Sequence, residues 1–238
     1  MALPRINDTL NFTMTVPSTG DRVKYRPYLV KEEKVLLQAF ESGDVQTCLE
    51  AMIDTLDACI DDKQNLDIGS LATFDVEYMF TQVRSKSVGE KSGIMIKCKS
   101  CDEPNGYSLD LDELKVEVND TSNLIKINDD ISVEMRYPTY RALIGGSNAE
   151  SAVADTDTAL KLLAASIDAV LTEEERIDCK DQSQEEMTDF LMSMTAGQLQ
   201  KLSAFLEDMP ALKHLAVFDC EKCGEHNELE LKGLSDFF

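Results

Sequence analysis

Two Cys-x-x-Cys pairs that lie far apart in the sequence share one local pattern, and this repetition constrains the fold more than any other feature. The first pair lies in IMIKCKSCDEPNGYSLDLDEL, which begins at residue 94, and the second in LAVFDCEKCGEHNELELKGL, which begins at residue 215. In each, an apolar run typical of a strand precedes the cysteines, and a polar turn and an alternating strand follow. Each pair is therefore predicted to lie in a knuckle, a tight turn at the tip of a β-hairpin.

Two such knuckles that face each other would supply the ligand set of a structural zinc ion. Four thiolates suit a tetrahedral site, and two residues between the cysteines let the chain fold back so that both sulfurs reach one ion. A four-thiolate site has no open coordination position, so the ion would hold shape without catalysing a reaction. The predicted Zn²⁺ ligands are Cys98, Cys101, Cys220 and Cys223. The lysines that could offset the charge of the site are Lys97, Lys99 and Lys222.

Other chemistries of the seven cysteines are also open. A redox pair needs Cys-x-x-Cys at the start of a helix in a βαβ setting, and neither copy has one, whereas four unrelated buried cysteines form the plainer alternative. His226 follows Cys223 closely and could replace a thiol or donate to a sulfur, but its Gly-Glu-His-Asn context favours a solvated turn. The cysteines on helical patterns, predicted to be small core residues, are Cys48, Cys59 and Cys179.

The charge balance excludes some classes of partner. A formal net charge of −22 disfavours contact with duplex DNA or an anionic membrane, because both need clustered Lys and Arg, and it favours partners with basic patches. No apolar run reaches the length of a membrane span, and MALPRINDTLNF lacks the layout of a signal peptide. The protein is therefore expected in the cytoplasm, where thiols stay reduced or bind metal.

The N-terminal third is predicted to contain a hairpin followed by three helices. Alternating apolar residues on both sides of Pro-Ser-Thr-Gly indicate two strands between residues 10 and 30. A helix is expected over about 30 to 41, closed by Gly43, and Asp44 is suited to cap the next helix. A third helix is expected to follow, with Ser70 as its cap.

The central and C-terminal parts alternate between strands and helices. A second hairpin is predicted over residues 124 to 137 around Asn-Asp-Asp. One helix is predicted over about 151 to 171, and two more over 183 to 194 and 195 to 208, with Pro210 after the last. The Leu-rich faces of these helices are expected to form core, and one of them could bind a partner helix.

These elements predict an α+β protein. It would comprise an N-terminal β-hairpin plus helices, a four-cysteine zinc ribbon built from two distant β-knuckles, and an inserted mainly helical lobe. The expected boundaries are 1–93 for the first unit, 94–118 together with 211–238 for the ribbon, and 119–210 for the inserted lobe. The ion would clip the C-terminus to the middle of the chain.

The sequence contains no pattern typical of an active site. Glycine-rich phosphate loops, the nucleophile elbow and the HExxH zinc motif do not occur, and His214 and His226 are the two histidines. We therefore predict that the protein is not an enzyme. A basic and aromatic strip on an acidic chain is instead a candidate partner-binding surface, although a buried Tyr25 with solvated charges would explain it equally well: Lys24, Tyr25, Arg26, Tyr28 and Lys31.

A family resemblance rests on the segment VPSTGDRVKYRPYLVKEEKVLLQAFESGD, residues 16 to 44, and on the C-terminal CEKCGEHNELELKGLSDFF. It is most distinctive in KYRPYLVKEEKVLL. These segments resemble the baseplate hub subunit family of T4-like contractile-tailed bacteriophages, and the similarity spans most of the chain.

The resemblance implies a late viral structural or assembly protein. Such proteins build the central hub of the baseplate or act as its assembly factors or chaperones, so the expected partners are other phage baseplate hub or tail proteins. It implies no catalytic residues and places the protein in the host cytoplasm during assembly, while a transient role there and a permanent place in the virion tail both stay open. No direct nucleic-acid contact and no membrane are expected from the charge and the apolar runs. Two alternative functions are open: an acidic zinc-ribbon regulator docking on polymerase, and an enzyme using thiolate or zinc chemistry. The partners could also include further copies of the chain in an oligomer.

Overall fold

The structure is a computed structural model that describes residues 11–61, 66–117, 122–145 and 156–237. Helices and small antiparallel sheets alternate along the chain. The helices are α1 (Val30–Ser42), α2 (Val45–Cys59), α3 (Thr73–Val88), α4 (Tyr140–Gly145), α5 (Thr156–Ala165), α6 (Gln184–Met192) and α7 (Ala196–Glu207). The strands are β1 (Phe12–Thr15), β2 (Arg22–Tyr25), β3 (Lys91–Lys97), β4 (Pro104–Asp110), β5 (Lys115–Val116), β6 (Leu124–Lys126), β7 (Ser132–Met135), β8 (Ile167–Leu171), β9 (Arg176–Asp178), β10 (Leu212–Asp219) and β11 (His226–Lys232).

The N-terminal elements follow the local signals of the sequence. β1 and β2 pair as an antiparallel hairpin in which Phe12 lies opposite Tyr25. α1 ends at Gly43, whose φ of 69° lies in the left-handed region that glycine adopts without a Cβ clash. The Asp44 carboxylate then accepts a hydrogen bond from the Thr47 N–H and caps α2. The predicted hairpin and first two helices are thus confirmed.

The predicted cap of the third helix was wrong. Ser70 lies in the short 3-10 turn Ile68–Ser70, which Asp67 caps by accepting a hydrogen bond from the Gly69 N–H. The chain then extends at Ala72, which forms an isolated bridge with Thr139, before α3 begins. The local cap signal at Ser70 is outweighed by this pairing with a distant segment.

A four-stranded sheet in the order β6-β7-β8-β9 forms the centre of the chain's second half. It contains the predicted hairpin near residues 124 to 137, but it corrects the helix predicted over about 151 to 171. Residues 151–155 lie outside the described ranges, α5 ends at Ala165, and Ile167–Leu171 form β8. Pairing with β7 on one side and β9 on the other gives this β-branched segment an interior strand position. The short helix α4 was not predicted, whereas α6 and α7 confirm the last two predicted helices.

The two cysteine-bearing segments form the predicted hairpins. β3 pairs with β4, and β10 pairs with β11 on one edge and β5 on the other. The turn of each hairpin carries one Cys-x-x-Cys pair, so both pairs lie at hairpin tips. No helix within the described ranges has the length and apolar character needed to cross a bilayer.

Three clusters of buried apolar side chains occur among the described residues. The N-terminal cluster contains Met14, Val16, Val23, Tyr25, Tyr28, Leu36, Ala39, Ala51, Met52, Leu56, Cys59, Ile60, Ile68, Leu71, Val76, Met79, Phe80, Val83 and Tyr140. The inserted cluster contains Ile127, Val133, Met135, Leu163, Ala164, Ile167, Val170, Cys179, Met187, Leu191, Leu202 and Phe205. The ribbon cluster contains Ile96, Leu109, Leu111, Leu114, Leu212, Ala216, Leu231 and Phe237. The exact unit boundaries stay a prediction.

Candidate metal centre

The two knuckles have the same backbone hydrogen bonds. In the first, the Cys98 N–H donates to the Glu103 carbonyl at 2.9 Å and the Asp102 N–H donates to the Cys98 carbonyl at 3.0 Å. In the second, the same two bonds join Cys220 with Glu225 and Gly224, each at 2.9 Å. Each turn thereby folds back on its first cysteine.

The residue after the second cysteine has a positive φ in both turns. Gly224 has φ 73°, which a residue without a Cβ adopts readily, and Asp102 has φ 55° at the equivalent place. Aspartate is one of the few other residues that enter this region at modest cost, because its short polar side chain can hydrogen-bond locally. The local sequence is therefore suited to a tight turn in both copies.

The two hairpin tips bring the four predicted cysteine ligands into one cluster. Their Sγ atoms all lie within 4.8 Å of one another. The Sγ atoms of Cys98 and Cys223 are 3.7 Å apart, as are those of Cys101 and Cys220. In a tetrahedral site with Zn–S bonds of about 2.3 Å, neighbouring sulfurs are about 3.8 Å apart. The cluster thus has the donor type, number and spacing of a four-thiolate metal site and could bind a metal.

Two sulfurs of the cluster are buried and favour ionisation. Cys98 and Cys220 are 1% and 3% exposed. The backbone N–H of Cys223 is the main cause that lowers the pKa of Cys220, to about 6. Burial acts to raise the pKa of Cys98, but hydrogen bonds from the Ser100 N–H and the Asn227 amide contribute to a net lowering. These groups stabilise the thiolate form that binds metal.

The other two sulfurs, which lie next to those of Cys98 and Cys220, resist ionisation. The Glu103 N–H favours the thiolate of Cys101, but the neighbouring Cys223 sulfur and burial raise its pKa to about 12. The Glu225 N–H and the Cys101 sulfur act to lower the pKa of Cys223, but burial and the sulfurs of Cys220 and Cys98 outweigh them and raise it. Four thiolates this close repel one another unless a cation lies between them. Within the described residues, no other group of three or more potential ligand side chains is as close.

Two asparagines that the sequence reasoning missed lie directly behind the sulfurs. Asn105 and Asn227 are 4% and 1% exposed, and each follows its knuckle at the same distance. Each amide reaches across to the opposite knuckle and approaches the Sγ of Cys220 or Cys98. The repeated spacing Cys-x-x-Cys-x-Glu-x-Asn, present in CKSCDEPN and CEKCGEHN, is the signal that could have found them.

The charged groups near the knuckles have partners of their own. The Lys222 ammonium pairs with the Glu103 carboxylate at 2.5 Å, and the Lys99 ammonium donates to the Glu228 carbonyl. These two lysines connect the two hairpins, and like Lys97 they are exposed. Both knuckles thus carry a lysine that bonds to the opposite hairpin.

Neither histidine belongs to the sulfur cluster. His226 Nδ1 lies 2.7 Å from an Asp219 carboxylate oxygen, and this hydrogen bond raises the pKa of His226. His214 Nε2 of β10 lies 2.9 Å from the Tyr107 hydroxyl of β4. Both rings therefore have local partners other than the cysteine sulfurs.

The basic and aromatic strip is divided between core and surface. Tyr25 and Tyr28 are buried in the N-terminal cluster, while Lys24 and Lys31 are exposed. The Arg26 guanidinium is half-buried and donates to the Glu32 carboxylate at 2.9 Å and to the Ala58 carbonyl at 2.8 Å. The two lysines are thus the charges in this strip that a partner can reach most freely, and their use as a binding surface stays a prediction.

Comparison with known proteins gives one family match. The family model described as T4 bacteriophage base plate protein matches residues 9–238. No curated protein and no solved structure matches the chain. The match covers the hairpins, the knuckles and the inserted sheet alike.

Proposed function

Because the chain belongs to the T4 bacteriophage base plate protein family, we propose that it is a hub subunit or hub assembly factor of the phage tail baseplate, braced by a structural zinc ion. The family itself implies a component of the virion tail that interacts with other tail proteins, and it suggests a non-enzymatic role. The proposal adds the place in the hub, the identity of the metal and the action through protein–protein contacts.

The sulfur cluster is the observation that carries the metal part of this proposal, and the family match carries the baseplate part. An ion bound by all four sulfurs would join the tips of β3–β4 and β10–β11, which come from opposite ends of a long stretch of chain. Closing so large a loop removes conformational freedom from the unfolded chain and stabilises the folded one. Sulfur donors in a tetrahedron favour Zn²⁺ among the common divalent ions.

The exposed side of α1 supports a role in protein contacts. Val30, Leu37 and Phe40 are at least half exposed and follow one another along the outer side of the helix. The exposed lysines Lys24 and Lys31 lie in the preceding strand and at the start of this helix. Large apolar side chains beside basic groups are typical of a surface that another protein covers.

The metal is tested by elemental analysis of protein purified without chelator. We expect about one zinc per chain, set by the four-thiolate ligand count. Cys101→Ser should abolish the zinc, whereas Cys48→Ser, which changes a thiol of α2 bonded to the Ala39 carbonyl of α1, should retain it. Zinc-free wild-type protein, or retention of zinc by Cys101→Ser, would contradict the proposed metal site.

The baseplate role is tested by complementation of a phage that lacks this gene. We expect wild-type protein to restore baseplates and plaques, and the double variant Lys24→Glu/Lys31→Glu to restore fewer, because it reverses the exposed charges of the strip. Lys180→Glu, an exposed lysine beyond β9, serves as the matched control. Normal baseplates without the protein, or its recovery on polymerase instead of hub proteins, would overturn the assignment in favour of the regulator alternative.

A further inference from the structure

We propose that Asn105 and Asn227 form a reciprocal clasp, which docks the two knuckles on each other and orients their buried sulfurs toward a bound thiophilic metal ion. This inference rests on the proposed zinc site for its second part. The docking of the knuckles stands on the hydrogen bonds alone.

Each asparagine bonds to both hairpins at once. The Asn105 Oδ1 accepts from the Glu221 N–H of the opposite knuckle at 2.9 Å, and its Nδ2 donates to the Glu103 carbonyl of its own knuckle at 2.8 Å. The same Nδ2 lies 3.7 Å from the Cys220 Sγ.

The second asparagine repeats this arrangement in the opposite direction. The Asn227 Oδ1 accepts from the Lys99 N–H at 2.9 Å, and its Nδ2 donates to the Glu225 carbonyl at 2.8 Å. The Nδ2 also lies 3.5 Å from the Cys98 Sγ. The two halves of the site therefore make the same set of hydrogen bonds, with the two hairpins interchanged.

An amide is the side chain that fits these partners. It supplies one acceptor for a backbone N–H and two N–H donors, one for a carbonyl and one for a sulfur. A carboxylate would keep the acceptor, lose the donors and place a negative charge beside the thiolates. An alanine would leave a part-buried backbone N–H of the opposite knuckle without its partner.

The clasp treats the four sulfurs unequally. It reaches the first cysteine of each pair, and these are the buried sulfurs Cys98 and Cys220. Cys101 is half-buried and Cys223 is exposed. Hydrogen bonds from outer groups fix the orientation of a metal ligand and tune its charge. The clasp therefore fixes two of the four sulfurs and leaves the other two more accessible.

The test uses the full-length protein and separates the two parts of the clasp. Asn105→Asp and Asn227→Asp keep the oxygen acceptor but remove the donor to sulfur. Each should weaken Zn²⁺ binding about 10- to 100-fold in competition with a chromophoric chelator, and should shift the sulfur-to-metal charge-transfer band of the Co²⁺ form. Asn128→Asp is the control, since its Oδ1 accepts turn N–H groups at the distant β6–β7 hairpin. Unchanged affinity and spectrum in both variants would overturn the metal-orienting role.

The docking role is read out without metal. In metal-free protein, the N–H groups of Lys99 and Glu221 should exchange more slowly in the wild type than in Asn227→Ala and Asn105→Ala respectively. Equal exchange rates at both sites in the wild type and the alanine variants would overturn the docking role. A wild-type protein that binds neither Zn²⁺ nor Co²⁺ would refute the zinc proposal and the metal-orienting half of the clasp, whereas the exchange result would still decide the docking half.

Discussion

The N-terminal cluster and the ribbon cluster show two ways of stabilising neighbouring parts of one chain. The N-terminal cluster draws on a hairpin and on the four helices α1 to α4, and it includes large aromatic side chains such as Tyr25 and Phe80. The ribbon cluster is smaller and lies under two hairpins whose tips carry the cysteines and the clasp. A small core that cannot supply enough apolar burial usually relies on disulfides or a metal. The comparison therefore suggests that the ribbon depends on its tips, whereas the N-terminal part does not.

α3 is the element that connects the two regions. Met79 and Val83 on one side are buried in the N-terminal cluster, while Tyr78 packs against the ribbon cluster. At its end, Ser85 and Lys86 bond to the carboxylate of Asp112 below β4, at 2.5 and 2.6 Å. The different dependence of the two regions on metal can be tested across this helix.

The largest expected effect is that of metal loss on the ribbon. A strong Zn²⁺ chelator or Cys101→Ser should make the ribbon exchange its amide hydrogens faster and admit proteases more readily than in the metal-loaded protein, because structural zinc contributes about 10 kcal/mol or more in small zinc domains. The N-terminal cluster should keep most of its protection, as measured by hydrogen exchange resolved by peptide. Equal loss of protection in both regions would show that they unfold as one unit and would break the comparison.

The next effect compares one core leucine from each region. Leu56 and Leu109 are both fully buried, so Leu56→Ala and Leu109→Ala should each cost about 2–5 kcal/mol of unfolding free energy in denaturant titrations of the metal-loaded protein. Leu109→Ala should also lower Zn²⁺ affinity, since metal binding is coupled to the folding of the ribbon. A matching loss of affinity in Leu56→Ala would contradict this separation.

The sequence predicted those elements whose signals are local. Gly43 and Asp44 mark a helix end and a helix start within two residues, and both act as expected. The prediction was wrong where pairing with a distant strand decides the structure. Ile167–Leu171 fits a helical apolar pattern, and only its two neighbours β7 and β9 make it a strand. Ser70 likewise does not cap α3, because Ala72 forms a bridge with the distant Thr139 before that helix begins.

The candidate site likewise has one part that the sequence predicts and one part that depends on the fold. The cysteine spacing predicts two knuckles, and the structure brings their four sulfurs together as expected. Asn105 and Asn227 are visible in the sequence as a repeat, but their function depends on acceptors and donors in the opposite hairpin. No local pattern states which backbone N–H a buried amide will meet, so their role required the fold.

A smaller effect concerns a carboxyl between the two regions. Glu77 of α3 lies near Gly233, and burial raises its pKa to about 7, although Lys232 acts to lower it. The folded protein therefore holds a proton that the unfolded chain has lost above pH about 4.5, and stability should fall as pH rises toward 7. The slope contributed by this group is at most about 1.4 kcal/mol per pH unit.

Glu77→Gln should remove this contribution. Relative to wild type, we expect the variant to gain stability as pH rises from 6 to 8 in urea titrations, whereas Glu207→Gln at the exposed end of α7 should show no such trend. Taking the difference between variant and wild type cancels the pH dependence of metal binding. A constant difference across this range would show that Glu77 is not held in its neutral form.

The smallest expected effect tests how tightly α3 joins the regions. Ser85 is buried and donates to Asp112 at 2.5 Å, so Ser85→Ala should cost roughly 1–2 kcal/mol of unfolding free energy. Ser108→Ala, on the exposed side of β4, should leave stability within about 0.5 kcal/mol of wild type. Because Lys86 still holds the other Asp112 oxygen, Zn²⁺ affinity should stay within about twofold of wild type in Ser85→Ala. A larger drop in affinity would mean that the ribbon obtains its rigidity from α3 as well as from its tips, and that the two regions differ less than their cores suggest.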